Sequence, residues 1–196
     1  MQLLEVTNKL FVAVFAFLAS AEVVFADIKC TDADLQTPGI IACSQASYLK
    51  IDSLLNDQYK SLSSELDPSV KSELLAIQRN WVKLKDGYCA EDKEGGEEAP
   101  IDRLSCLKQL TSFRVNELIY FRTGVIGDGF YKAVSLVNEK TTAMNYSKAV
   151  DYVGGEMDFG PLWKGYAEQN CALAKKIFGE KTDRCMARMR FQMPIY

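Results

Sequence analysis

From Ser44 onward, apolar residues recur with a helical period. Tyr48, Ile51, Leu55, Tyr59, Leu62 and Leu66 follow at spacings of 3, 4, 4, 3 and 4. This places them on one face of an amphipathic helix, with Ser44 expected as its N-cap. Asp67-Pro68 then stops that helix and starts another, Asp67 as N-cap and Pro68 in the first turn. A second stripe, Val70, Leu74, Ile77, Trp81, Leu84 and Tyr88, runs at spacings of 4, 3, 4, 3 and 4, with Gly87 near its end. So short a junction predicts an antiparallel hairpin. The polar stretch 90–100, AEDKEGGEEAP, reads as a loop. A third helix is predicted from about Ile101 to Arg122, ending at Gly124, with Leu104, Leu107, Thr111, Val115 and Leu118 inward. Three facing stripes can bury one another in a compact bundle.

Beyond Gly124 the pattern weakens. Ile126 to Gly129 reads as a turn, and Phe130 to Asn138 fits helix or strand. Residues 141–153 read as helix ending at Gly154-Gly155. Pro161 is expected to begin a helix that runs to Phe178, and Thr182 to cap a last one reaching about Met193. This half echoes the first. Trp81 precedes Cys89 by eight residues, as Trp163 precedes Cys171, and each cysteine leads through a polar turn to a second one, Cys106 or Cys185. Arginine follows in both, Arg114 in one and Arg188 or Arg190 in the other. The joint pattern reads as a shortened, decayed repeat. The expected fold is all-α: a disulfide-stapled three-helix bundle over residues 27–124, followed by a smaller C-terminal helical unit over 125–196.

Residues 1–26 have a different character. After Lys9 comes an apolar run from Leu10 to Ala19, and then Val24-Phe25-Ala26. Light residues at these positions suit a signal peptidase, so a secretory signal peptide cut between Ala26 and Asp27 is expected. The alternative is an uncleaved membrane anchor, for which the run is short of the roughly 20 residues a spanning helix needs.

All six cysteines follow that segment, which in a secreted chain reads as a disulfide framework. Six cysteines allow 15 connectivities. Sequential neighbours lie 13, 17 and 14 residues apart, and each pair flanks a turn or loop. The expected pairs are therefore Cys30–Cys43, Cys89–Cys106 and Cys171–Cys185. The even spread and the lack of a CxxC argue against a redox or metal site. The chain of 196 residues has no histidine, which excludes a Ser-His-Asp triad, a Cys-His dyad and an imidazole zinc site. Its net charge of −3 has the wrong sign for a general nucleic-acid binder.

Several of these residues occur together in a known order. Cys30 and Cys43 are followed by Leu55-Asn56, Tyr59 and Leu62; then by Gln78-Arg79-Asn80-Trp81, Lys85-Asp86 and Cys89; then by Cys106-Leu107, Leu110-Thr111, Arg114 and Glu117-Leu118. Over residues 30–121 the chain resembles the N-terminal domain of the LprI-type lysozyme-inhibitor family of secreted bacterial proteins. The resemblance implies a small helical bundle with two disulfides, and a binding role. Departures are Lys85, where arginine is usual, and a strongly acidic 90–100 stretch, where a Gly/Ser-rich loop is common.

Arg79 and Asp86, seven residues apart, share one side of the second helix, and Asn56 and Arg114 are placed to approach them. With Tyr59, Gln78, Trp81 and Thr111 they read as a polar motif that fixes helix register, the alternative being an electrostatic site. The candidate partner-binding residues are Glu91, Asp92, Glu94, Glu97 and Glu98, a local net charge of −4 once Lys93 is counted. Such a loop suits a basic protein partner; the alternatives are a solvated loop or a calcium site, whose spacing matches no EF-hand. The carboxylate pairs Glu97-Glu98 and Glu65-Asp67 carry no sign of the burial that acid/base work needs. The glycines at 127, 129, 154 and 155 read as turns, not phosphate cradles. Tyr48, Tyr59, Trp81 and Trp163 read as core, and Arg184, Arg188 and Arg190 as a helix face. No catalytic residue, metal or cofactor is expected. The expected function is that of a periplasmic or secreted binding protein that blocks lysozyme or another wall-cleaving enzyme by occluding its cleft. The alternative is an immunity or envelope-stress protein that recognises a toxin or an envelope component.

Overall fold

A computed structural model of the chain describes residues 30, 36–91, 93–127, 129–140 and 144–194. The expected signal peptide, its cut after Ala26, and Asp92 of the acidic loop lie outside the described residues. Seven helices are present among the described residues, and no strand: α1 (Thr37–Glu65), α2 (Pro68–Tyr88), α3 (Ala99–Thr123), α4 (Gly129–Lys140), α5 (Tyr146–Gly154), α6 (Gly160–Phe178) and α7 (Thr182–Gln192). None is long and apolar enough to cross a membrane.

Several boundaries differ from those read off the sequence. Helix α1 starts at Thr37, with proline in its first turn, so Ser44 lies inside the helix and does not cap it. Proline at a helix start presets φ and lacks only an N–H that would have no intrahelical partner there. The ambiguous segment after Gly129 is helix α4. Helix α5 begins at Tyr146 rather than at residue 141, because the Asn145 side chain accepts a hydrogen bond from the Lys148 N–H at 3.0 Å and caps it. Thr182 is the first residue of α7, and its N-cap position is held by Lys181.

Helices α1, α2 and α3 run up, down and up. Tyr48 in the first half of α1 meets Lys85 near the end of α2, and Arg122 at the end of α3 pairs with Glu65 at the end of α1 at 2.7 Å. The expected α1–α2 hairpin is antiparallel in sense but splayed: the two helices do not pack closely along their lengths. Instead α1 lies chiefly against α3, and α2 chiefly against α6. The α2–α6 pair is antiparallel, marked by Glu73–Lys176 at 2.7 Å, Asn80–Gln169 at 2.8 Å and the contact of Leu162 on Gly87. Helix α7 folds back on α6.

This arrangement follows from where the large apolar side chains go. Leu74, Ile77, Trp81 and Leu84 of α2 are buried in one cluster with Leu107, Leu110 and Leu118 of α3 and with Trp163, Tyr166 and Leu173 of α6. Burying one side chain of this size stabilises by about 1.5–3 kcal/mol. A smaller cluster, Phe130, Val134, Ala149, Val150 and Ala187, holds α4 and α5 onto α7. There Gly154 is essential: a Cβ at that position would stand 2.5 Å from the Ala187 Cβ and 2.7 Å from its Cα.

The three disulfides join sequential cysteines. Cys30–Cys43 ties the segment before α1 to that helix, Cys89–Cys106 ties the end of α2 to α3, and Cys171–Cys185 ties α6 to α7. Their Cα–Cα distances are 5.8, 5.6 and 5.6 Å. Bridges of this kind fit an oxidising compartment.

Candidate functional site

The acidic loop is built from the end of α2 and the start of α3. Cys89 follows the last residue of α2, and its bridge to Cys106 anchors the loop at the end of the second turn of α3. The chain turns at Gly96, whose φ of +67° lies in the left-handed region that side chains disfavour. A short 3-10 turn, Gly96–Glu98, then feeds into α3. Glu91, Glu94, Glu97 and Glu98 are all exposed, as is Lys93. Glu97 and Glu98 lie at the N-terminal end of α3 and Asp102 in its first turn, where the helix dipole favours negative charge. The acidic residues therefore stabilise the helix start as well as forming an anionic rim. A cavity of about 160 Å³ lies beneath the loop, lined by Tyr88, Gly95, Ala99 and Arg103 beside the disulfide. The rim can attract and orient a cationic surface; its exposure gives no basis for acid/base chemistry.

The expected polar motif does not converge. Asn56 is exposed and bonds within its own helix, its Nδ2 donating to Asp52 at 3.2 Å. Arg79 is exposed. Asp86 is exposed too and pairs with Lys85 at 3.0 Å. Arg114 is completely buried. The reason is rotational: Arg79 and Asp86 do share a side of α2, but it is the side opposite Leu74, Ile77, Trp81 and Leu84. Of these motif residues Gln78 does reach Arg114, its Oε1 accepting from the Arg114 Nε at 2.9 Å. Tyr59 packs half-buried against the core, and Trp81 and Thr111 are buried within it. Lys85 sits 5.8 Å from the ring centres of both Tyr48 and Trp81. Burial opposes its charge, but the Asp86 carboxylate and Tyr48 outweigh that and hold the ammonium above its usual range.

What the structure does assemble is a buried polar chain between α3 and the C-terminal helices. Arg114 donates to the Tyr166 hydroxyl at 3.3 Å and to Asn170 Oδ1 at 2.9 Å. Asn170 Nδ2 donates to Glu117 Oε2 at 2.7 Å. Both Glu117 oxygens accept from the Arg188 guanidinium, which also donates to Glu180 at 3.1 and 3.2 Å. Glu180 accepts in turn from the Tyr120 hydroxyl at 3.2 Å and the Tyr131 hydroxyl at 3.5 Å. Two guanidinium ions and two carboxylates thus offset one another where water is excluded. Burial pushes the Tyr166 phenol up to about 12, against the lowering influence of Arg114. Burial and the Glu180 carboxylate likewise raise Tyr120 and Tyr131 above the usual tyrosine range. Burial also opposes the charge on Arg188, but the paired carboxylates hold its guanidinium above even the usual arginine range.

The sequence reading of Arg188 as part of a helix face is corrected here. Arg188 is fully buried, while Arg184 and Arg190 are half-buried and stand against the rings of Tyr146 and Trp163 at 5.3 and 6.0 Å. Glu117 carried a readable signal, the single acid in the largely apolar stretch from Val115 to Phe121, as did Arg188 between Ala187 and Met189. Their pairing had none, since 71 residues separate them.

Residues 30–118 match the family model described as lysozyme inhibitor LprI. No curated protein and no solved structure matches the chain. The matched segment covers α1, α2, the acidic loop and most of α3; helices α4 to α7 lie beyond it.

Proposed function

We propose, from the match of residues 30–118 to the lysozyme inhibitor LprI family, that this protein is a periplasmic or secreted inhibitor that binds a lysozyme or another wall-cleaving enzyme and occludes its cleft. The observation that carries the reading is the acidic loop: an exposed anionic rim anchored by Cys89–Cys106 between the end of α2 and the start of α3. Against a wall-cleaving enzyme whose cleft lips are basic, Glu91, Asp92, Glu94, Glu97 and Glu98 would steer association and set orientation. Tethering the loop at its base lowers the entropy lost on docking. Inhibition of this kind is stoichiometric, with no covalent step and no cofactor.

The test is lysozyme activity on bacterial cell walls with increasing oxidised protein, residues 27–196, at low and moderate salt. Inhibition should saturate near equal molar ratio and weaken as salt screens the charges. The E91Q/E94Q/E97Q/E98Q variant should associate at least about tenfold more slowly at low salt. Equal inhibition by that variant would remove the loop from the interface. Failure to inhibit any lysozyme class would overturn the inhibitor reading, leaving the immunity or envelope-stress role to be sought by partner capture.

We also read residues 27–124 and 125–196 as one folding unit, because Trp163, Tyr166 and Leu173 share the core of α2 and α3. Target specificity is then better tested by point substitutions than by exchanging the C-terminal half.

A further inference from the structure

At the end of α3 opposite the acidic loop, about 37 Å along its axis, a cavity of about 460 Å³ opens where the last turns of α3 and α6 meet the start of α7. Its walls are aromatic. The rings of Tyr120 and Phe178 stand 4.8 Å apart, and Tyr131 of α4 lines it as well. Phe178 is 41% exposed, a large apolar surface left open beside the cavity. Glu180 lines the cavity, but its carboxylate is already occupied by the two tyrosine hydroxyls and by Arg188. Lys181 and Arg184 line it too, and neither is paired with a carboxylate among the described residues.

These features select a ligand by charge and shape. A cation would meet Lys181 and Arg184 and find no free lone pairs on Glu180. A neutral apolar molecule would gain the aromatic contacts alone. A molecule with one anionic head and an apolar body satisfies both, and the volume lies within the range of small-molecule sites. We propose that this cavity binds a small carboxylate with an aromatic or short acyl body, the body against Tyr120, Tyr131 and Phe178 and the head on Lys181 and Arg184. All of these residues lie beyond residue 118, outside the segment that matches the family model. The site is independent of the acidic loop and of the inhibitor reading.

The test uses the full oxidised chain and three probes with the same phenyl and four-carbon body, 4-phenylbutyrate, 4-phenylbutan-1-ol and 4-phenylbutylamine, titrated by calorimetry and by amide chemical shifts. The carboxylate should bind tightest and the amine weakest, with shifts centred on residues 120–131 and 178–184. K181E/R184E, at an exposed and a half-buried position, should weaken the carboxylate by about tenfold or more and leave the alcohol unchanged. F178A should weaken both. If the double variant does not fold by circular dichroism, K181Q and R184Q singly carry the same test with a smaller loss. Equal binding of alcohol and carboxylate, indifference of the carboxylate to the charge variants, or no binding at millimolar concentration would each overturn the proposal.

Discussion

Consider replacing Arg188 with methionine, which keeps most of the side chain's apolar volume and removes its charge. In the native protein Arg188 has no solvent exposure, and the side chains of Glu117 and Glu180 are only 2% and 5% exposed. The substitution therefore leaves two carboxylates facing an apolar core, with Asn170 and two tyrosine hydroxyls as their remaining donors. Breaking a buried ion pair from one side costs about 3–5 kcal/mol, because the surviving charge must stay ionised without its partner or take up a proton. Glu180 lies in the short α6–α7 turn and can relax toward water, which places the expectation near 3 kcal/mol at pH 7. The pH dependence distinguishes this from simple loss of packing. A carboxyl that is neutral in the folded variant and ionised when unfolded contributes stability below its unfolded pKa, and that contribution is lost as pH rises. The deficit of R188M should therefore shrink between pH 7 and about pH 4, the ordinary carboxylate range. Urea unfolding with disulfides intact, followed by circular dichroism at both pH values, measures it. A loss below about 1 kcal/mol at pH 7, or one independent of pH, would refute the claim that this pair holds the C-terminal helices in place.

Two further expectations follow from the same packing. The native protein should lose stability on the alkaline side: with the Tyr166 phenol pushed from 10 to about 12, the unfolded chain releases that proton first, so stability falls as pH rises from about 10 to 12. The difference amounts to roughly 3 kcal/mol; urea midpoints should drop over that range in wild type and less in Y166F, and equal drops would remove Tyr166 as the cause. G154A should push α5 from α7, costing about 1–3 kcal/mol. Hydrogen exchange should quicken in residues 129–154 and not in α1 to α3, and uniform quickening would contradict a local effect.

What could be read in one dimension was what depends on near neighbours. The stripes of α1, α2 and α3 announced helices because a 3.6-residue period must put Leu74, Ile77, Trp81 and Leu84 on one side. The cysteine spacing announced local staples because short loops close at modest entropy cost. The α1 start escaped because Ser44 has the side chain of an N-cap, whereas the helix already begins at Thr37 with Pro38 in its first turn. Arg79 and Asp86 were rightly placed on one side of α2, but periodicity does not say whether a polar side faces water or a partner helix. That was decided when α6 took the place beside α2 that the expected hairpin gave to α1. The same event set Arg114 against Tyr166 and Asn170, and brought Arg188 to Glu117. A lone charge in an apolar stripe signals only that some partner must be found. Which residue supplies it depends on helix directions and crossing, and those are properties of the assembled core and not of any segment.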